Sequence, residues 1–436
     1  MIGRKSIALV MLLLASLTLA ACWSINVDSR IANSGTSNAT SGSSYPSSGS
    51  SYTDPEYSYS YPESSYAATE GYYVSGKMLH AGGTAYFVYR DYYQMFIRIF
   101  MIDDKEDAIP KELCRIQCSD DEYVHVELIA VQNRTLYFYE TLSKIGDEQT
   151  VGGVESLCLK SLDLKNIESE PVIIELYLNP EAPTPEVLTE RYQNKDYSLS
   201  FDVLLNLFVS CVVEKNYVYT FFATGINYTL NETLLFQLDY TSGKVTCTEG
   251  AALMSEVRWY IFDVKDGYIY FGRYEFDSNT QSMKNAYCRA DITDLKEEIL
   301  VESGESKVLM WGKVINNSLF YFLEDRTNKE EQAKFCCLNL ATKKETVLST
   351  TLMSPDSTYG VPGAVGDTFY YFDKRSLRCF NLDGSNDRIL IKSSDYSERY
   401  LLIVTDHWIY YTQDNRLYRV RPDATSFPTE SLIMPS

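Results

Sequence analysis

From residue 72 onward, short runs rich in apolar and aromatic residues alternate with polar turns. No long stretch repeats its apolar residues at helical spacing, so the pattern predicts strands. The strand core recurs as Ala85-Tyr86-Phe87, Leu136-Tyr137-Phe138, Val218-Tyr219, Ile269-Tyr270-Phe271, Phe320-Tyr321-Phe322, Tyr370-Tyr371-Phe372 and Ile409-Tyr410-Tyr411. The central tyrosines lie 51, 82, 51, 51, 50 and 39 residues apart. Four positions before five of them stands Asn133, Asp266, Asn317, Asp367 or Asp406. Asn and Asp tolerate tight-turn geometry, so each unit is expected to hold a hairpin with the aromatic run as its second strand. A third strand follows, as in Ala333 to Leu340, Leu377 to Leu382 and Leu417 to Arg421. A fourth short run closes the unit, as in Glu297 to Val301, Thr346 to Ser349, Arg388 to Lys392 and Ser431 to Met434. Seven such units predict an all-β fold, a seven-bladed β-propeller of four-stranded blades over residues 72–436. A β-sandwich, or a pair of them, would not need this regular spacing.

The pattern before residue 72 is different. Arg4 and Lys5 precede an apolar run from Ile7 to Leu19, too short to span a bilayer comfortably. Residues 1–21 are therefore read as a signal peptide that is removed. Leu19-Ala20-Ala21-Cys22 resembles the bacterial lipobox, which implies diacylglycerol transfer to the Cys22 sulfur and cleavage before it. Acyl chains on Cys22 would anchor the mature chain without spanning, since each buried methylene contributes about 0.8 kcal/mol. Residues 22–71 then read as a flexible stalk. Between Ser41 and Tyr66, 17 of 26 residues are Ser or Tyr, and such a tract cannot bury enough apolar area to fold. As a coil of about 50 residues it would reach roughly 40 Å. Its interleaved tyrosines offer an alternative, an interaction tract.

The Asp-x-x-aromatic units, together with the closing Leu417-Tyr418-Arg419-Val420-Arg421-Pro422-Asp423, resemble a family of bacterial surface propellers. These are described as similar to the propeller of the low-density-lipoprotein receptor. The resemblance implies the fold and little about function, while the extracytoplasmic, lipid-anchored location is what the lipobox at Cys22 implies. It carries no receptor function, because the nearest run to the receptor's Tyr-Trp-Thr-Asp motif is Ile409-Tyr410-Tyr411-Thr412.

Charge narrows the partners. The formal net charge is −20, or −22 once Arg4 and Lys5 leave with the signal, which repels nucleic acid. Nine cysteines remain after Cys22, and most sit inside apolar runs. Cys158, Cys288, Cys337 and Cys379 share the third strand of their units, so they read as small packing residues. Cys336 and Cys337 are adjacent, and only His80, His125 and His407 exist, so zinc is disfavoured and no cofactor is expected.

Catalytic motifs do not stand out. There is no Gly-x-Ser-x-Gly, phosphate-cradling loop, His-Glu-x-x-His or EF-hand loop. Asp103-Asp104 and Asp120-Asp121-Glu122 read as solvated turns, with calcium as the sharper alternative. Propeller geometry places the connections entering each first strand, and those joining the two middle strands, on one face. Trp259, Trp311, Tyr359 and Tyr400 are candidates to ring the channel mouth there, against the plainer reading of core packing. The 82-residue spacing marks an insertion centred on Asn179 to Asp196, which carries Tyr192 and is the candidate contact loop. Acidic middle loops add Glu275, Asp277, Glu324, Asp325, Glu330 and Glu331. The expectation is a membrane-anchored, non-enzymatic binding or scaffold module for a protein or envelope glycan. The alternative is a secreted carbohydrate-active enzyme using paired carboxylates. A scaffold in outer-membrane protein insertion rests on fold analogy alone.

Overall fold

The computed structural model describes residues 72–91, 96–119, 122–145, 151–178, 212–226, 229–249, 257–277, 282–304, 307–325, 333–349, 363–373, 376–392, 399–414, 416–428 and 431–432. Residues 1–71, which carry the expected signal peptide, Cys22 and the expected stalk, lie outside these residues. Those described form seven sheets in chain order, antiparallel but for one added strand, the blades of a β-propeller.

Blade 1 is β1 (Tyr72–Ala81), β2 (Thr84–Asp91), β3 (Phe96–Asp103) and β4 (Lys111–Gln117). Blade 2 is β5 (Glu122–Gln132), β6 (Thr135–Ile145), β7 (Val151–Asp163) and β8 (Val172–Ile174). After β8 the chain forms β9 (Tyr177–Leu178), which belongs to the next sheet. Blade 3 is β10 (Val212–Glu214), β11 (Tyr217–Ile226), β12 (Thr229–Asp239) and β13 (Lys244–Glu249). Blade 4 is β14 (Val257–Lys265), β15 (Tyr268–Asp277), β16 (Ser282–Asp291) and β17 (Glu297–Ser303). Blade 5 is β18 (Lys307–Ile315), β19 (Ser318–Asp325), β20 (Ala333–Asn339) and β21 (Glu345–Ser349). Blade 6 is β22 (Gly363–Val365), β23 (Thr368–Asp373), β24 (Ser376–Asn381) and β25 (Arg388–Ile391). Blade 7 is β26 (Arg399–Val404), β27 (Ile409–Gln413) and β28 (Arg416–Val420). Among the described residues blade 7 has these three strands, and the C-terminal segment contributes a hydrogen bond from Leu432 N–H to the Leu417 carbonyl, 2.8 Å.

Turn chemistry sets this register. The first hairpin needs left-handed backbone at both turn positions to match strand twist. Gly82-Gly83, Asn133-Arg134, Asp266-Gly267 and Asn316-Asn317 all have positive φ. At the end of the third strand an Asx side chain caps the next turn. Asp163, Asp239, Asp291 and Asn339 accept N–H bonds from Lys165, Thr241, Thr293 and Ala341 at 2.8–3.1 Å. The Thr293 hydroxyl, at 2.6 Å, and then its N–H hold the Asp291 carboxyl below its usual range; at Asp239 burial pulls upward, but the hydroxyl and N–H of Thr241 outweigh it.

The core is divided into seven apolar wedges, one at each junction between neighbouring blades. Blades 5 and 6 meet through Phe320, Phe322, Phe335, Phe369, Tyr371 and Phe380. Blades 7 and 1 meet through Trp408, Tyr410 and Leu417 against Met78, Ala85, Phe87, Phe100 and Ile102. Burying each large aromatic stabilises the ring by ~2–3 kcal/mol. The eight described cysteines are free thiols, and Cys288, Cys336 and Cys379 are buried in these wedges or on the strands that line them.

One connection departs from the repeat. β9 pairs in parallel with the outer edge of blade 3, Tyr177 with Lys244 and Leu178 with Val245. It passes over Gly243, at φ +79°, where a Cβ would run into the Glu175 carbonyl. The insertion, residues 179–211 and outside the described residues, therefore starts from the outer rim of blade 3.

Candidate functional site

The alternating strand directions place the connections into each first strand, and those between second and third strands, on one face. The register locates the described candidates on the strands that rise to it. Trp259 pairs with Arg273, Trp311 with Phe322, and Tyr400 with Thr412. Each of these inner strands carries a β-bulge: between Ile261 and Asp263, Leu309 and Trp311, and Leu401 and Ile403. Trp259 and Tyr400 precede the bulge by two positions and one; Trp311 follows it. They are thus three different positions of the repeat. Tyr400 is half-buried. Tyr192 and Tyr359 lie outside the described residues. Glu324, expected in an acidic middle loop, lies instead on β19, near its end, and is buried.

A group that sequence reasoning passed over lies between blades 2 and 3. Strand alternation turns Val124, Val126 and Leu128 toward blade 1. The intervening His125 and Glu127, each 7% exposed, therefore face blade 3. His125 pairs across the ladder with Thr141, and Glu127 with Tyr139, both buried. On blade 3, Val218 faces blade 2, and so does the buried Thr220 two residues on. The result is a wedge of imidazole, carboxylate and hydroxyl groups, with His125 Nε2 3.9 Å from Glu127 Oε2. Burial, reinforced by the Arg90 guanidinium, pushes the His125 pKa down to about 4, so the imidazole is neutral at pH 7. Arg90 donates to the Val124 carbonyl at 3.1 Å. Blades 2 and 3 are also the pair joined by the long insertion.

A second feature opens on the opposite face, where the ring closes. Two adjoining depressions of about 380 and 420 Å³ lie at the junction of blades 7 and 1. His80, Asp104, His407, Trp408 and Arg421 line them. Asp104 corrects the reading of Asp103-Asp104 as a solvated turn. It is 8% exposed, accepts the Thr405 hydroxyl at 2.9 Å, and has Oδ2 3.8 Å from His80 Nε2. Of the Asp120-Asp121-Glu122 run, the first two residues lie outside the described residues and Glu122 begins β5. Among the described residues, no three His, Cys, Asp or Glu side chains converge to hold a metal ion.

No protein-family model matches the chain, and no curated protein matches it. Solved structures do. A prolyl endopeptidase is 10% identical, with a TM-score of 0.50, over 82% of this chain and 48% of its own. An oligogalacturonate lyase from Vibrio parahaemolyticus is 10% identical, with a TM-score of 0.47, over 79% of this chain and 88% of its own. The β-propeller domain of the trilobed protease from Pyrococcus furiosus, which has an open velcro topology, is 11% identical, with a TM-score of 0.45, over 80% and 92%. The chain spans about half the length of the prolyl endopeptidase. At such identities the likeness is one of fold, the β-propeller.

Proposed function

We propose that this protein is a lipid-anchored, extracytoplasmic binding module. Cys22 holds it to the bacterial membrane, and its propeller engages a protein or an envelope glycan through the face where the inner strands begin. One observation carries the choice of face. Buried His125, Glu127, Tyr139, Thr141 and Thr220 gather between blades 2 and 3, the same two blades that the longest connection joins. Buried polar groups keep hydrogen-bond partners, so their concentration at one junction gives the blades joined by the insertion a polar lining. A neutral imidazole, a carboxylate and hydroxyls form a hydrogen-bonding set suited to the hydroxyls and amides of such ligands.

The test is retention of envelope proteins or glycans by the full chain, compared with a form lacking residues 180–196. Specific capture that the deletion abolishes supports binding on this face. Capture that survives moves the site elsewhere. Turnover of a polysaccharide, lost when a carboxylate such as Glu127 is replaced by Gln, would replace the binding reading with the carbohydrate-active one. The anchor is tested separately: the Cys22→Ser chain should leave the membrane fraction, and its retention there would sink the lipoprotein assignment.

A further inference from the structure

Each of the first six blade junctions is crossed by the chain itself, and the junction of blades 2 and 3 is also strapped by β9. The junction of blades 7 and 1 has neither device among the described residues. No ladder joins the two sheets there, and the ring is held by side chains. Thr405 donates to Asp104. Arg419 of β28 reaches into the turn after β3 and donates to the carbonyls of Lys105 at 3.2 Å, Glu106 at 2.6 Å and Ala108 at 3.3 Å. Its guanidinium also lies over the Trp408 ring, 4.3 Å from the centroid. One planar, permanently charged fork thus ties three main-chain acceptors of the first blade to an aromatic of the last, a task that a lysine cannot perform.

We propose that the ring opens first at this seam, and that Arg419 is the latch that sets how often it does. Separation of two packed blades that share no ladder breaks few main-chain bonds, so it lies at the low end of the local opening free energies of the domain. Opening would uncover Asp104, the Trp408 indole and the wedge beneath them, on the face opposite the proposed ligand face. The seam is therefore a conformational device independent of ligand identity.

The experiment is amide hydrogen exchange, read by peptide mass spectrometry, on the full chain and on Arg419→Ala. Arg289→Ala is the control, because Arg289 makes a comparable contact inside one blade, over Tyr268 at 4.5 Å and paired with Glu298. The expected result is exchange about tenfold faster in β1, β2, β26, β27 and β28 of Arg419→Ala, with β15, β16, β19 and β20 unchanged. Arg289→Ala should leave the seam strands as they were. Exchange that rises evenly over all blades, or a seam as slow as in the parent chain, would overturn the proposal. If Arg419→Ala does not fold, Arg419→Lys and Thr405→Val supply the same comparison, with the same two outcomes deciding it.

Discussion

The hydroxyl of Thr405 donates to the buried carboxylate of Asp104 at 2.9 Å, across 301 residues of chain and between the last blade and the first. The same oxygen accepts the Trp408 N–H at 2.9 Å, so it shapes the blade 7 hairpin while it closes the ring. Thr405→Val keeps the shape and removes these bonds, together with those to the Trp408 carbonyl and from the His407 N–H. It leaves a buried carboxylate with one donor fewer, which costs ~1–3 kcal/mol. The urea midpoint should fall by that free energy divided by the m-value, with m itself unchanged. An unchanged midpoint would mean that the wedge of Trp408, Tyr410 and Phe87 closes the ring unaided.

Two glycines in left-handed backbone separate conformational cost from collision. Gly267 has φ +81° and nothing near its missing Cβ, whereas Gly243 has φ +79° and lies under the Glu175 carbonyl. Gly267→Ala should cost ~1 kcal/mol, for backbone alone. Gly243→Ala adds the displacement of the strap and should cost ~3 kcal/mol. Equal losses in denaturant titration would show that the Tyr177 to Leu178 strap yields freely.

Much of this architecture was legible locally. Alternation and turn residues belong to neighbouring positions, so Asn133, Asp266 and Asn317 revealed their hairpins, and the tyrosine runs their second strands. Cys288 and Cys379 fell in third strands as their shared position in the repeat indicated. The misses are non-local. A bulge shifts Trp311 relative to Trp259 without any sequence mark. Two residues, Tyr177 and Leu178, joined another blade because the edge of β13 was open to them. His80 and His407 line one depression only because the ring closes, and the neighbours of His125 across the ladder are set by register, which its position in the chain does not show.

The aromatic wedge of blades 5 and 6 should dominate stability over the outer rim. Phe335 is buried, with ring centroids of Phe322, Phe380 and Phe369 at 4.6, 4.7 and 5.1 Å. Phe335→Ala removes a whole ring from a site walled by other rings, which collapses poorly, and should cost ~3–5 kcal/mol. Val347, two residues from the end of the same blade's outer strand, is 48% exposed. Val347→Ala should stay within ~0.5 kcal/mol. Comparable losses at the two positions would mean that the wedges do not carry the fold.

His125 should make the domain acid-sensitive well above the pH at which carboxylates titrate. Its folded pKa is lowered to about 4, by burial first and the Arg90 charge second. An unfolded histidine titrates near ~6.5. Between these values the unfolded chain binds the proton and the folded chain does not, so unfolding draws in a proton and stability falls as pH falls. The contribution is complete above ~6.5 and is lost progressively toward about 4, to a total on the order of 3 kcal/mol. Urea midpoints measured from pH 7.5 to 4.5 should decline through this window, and His125→Gln, which cannot titrate, should flatten that decline. A decline of the same size in His125→Gln would assign the acid sensitivity to other groups and place His125 in a more solvated setting than the wedge between blades 2 and 3 provides.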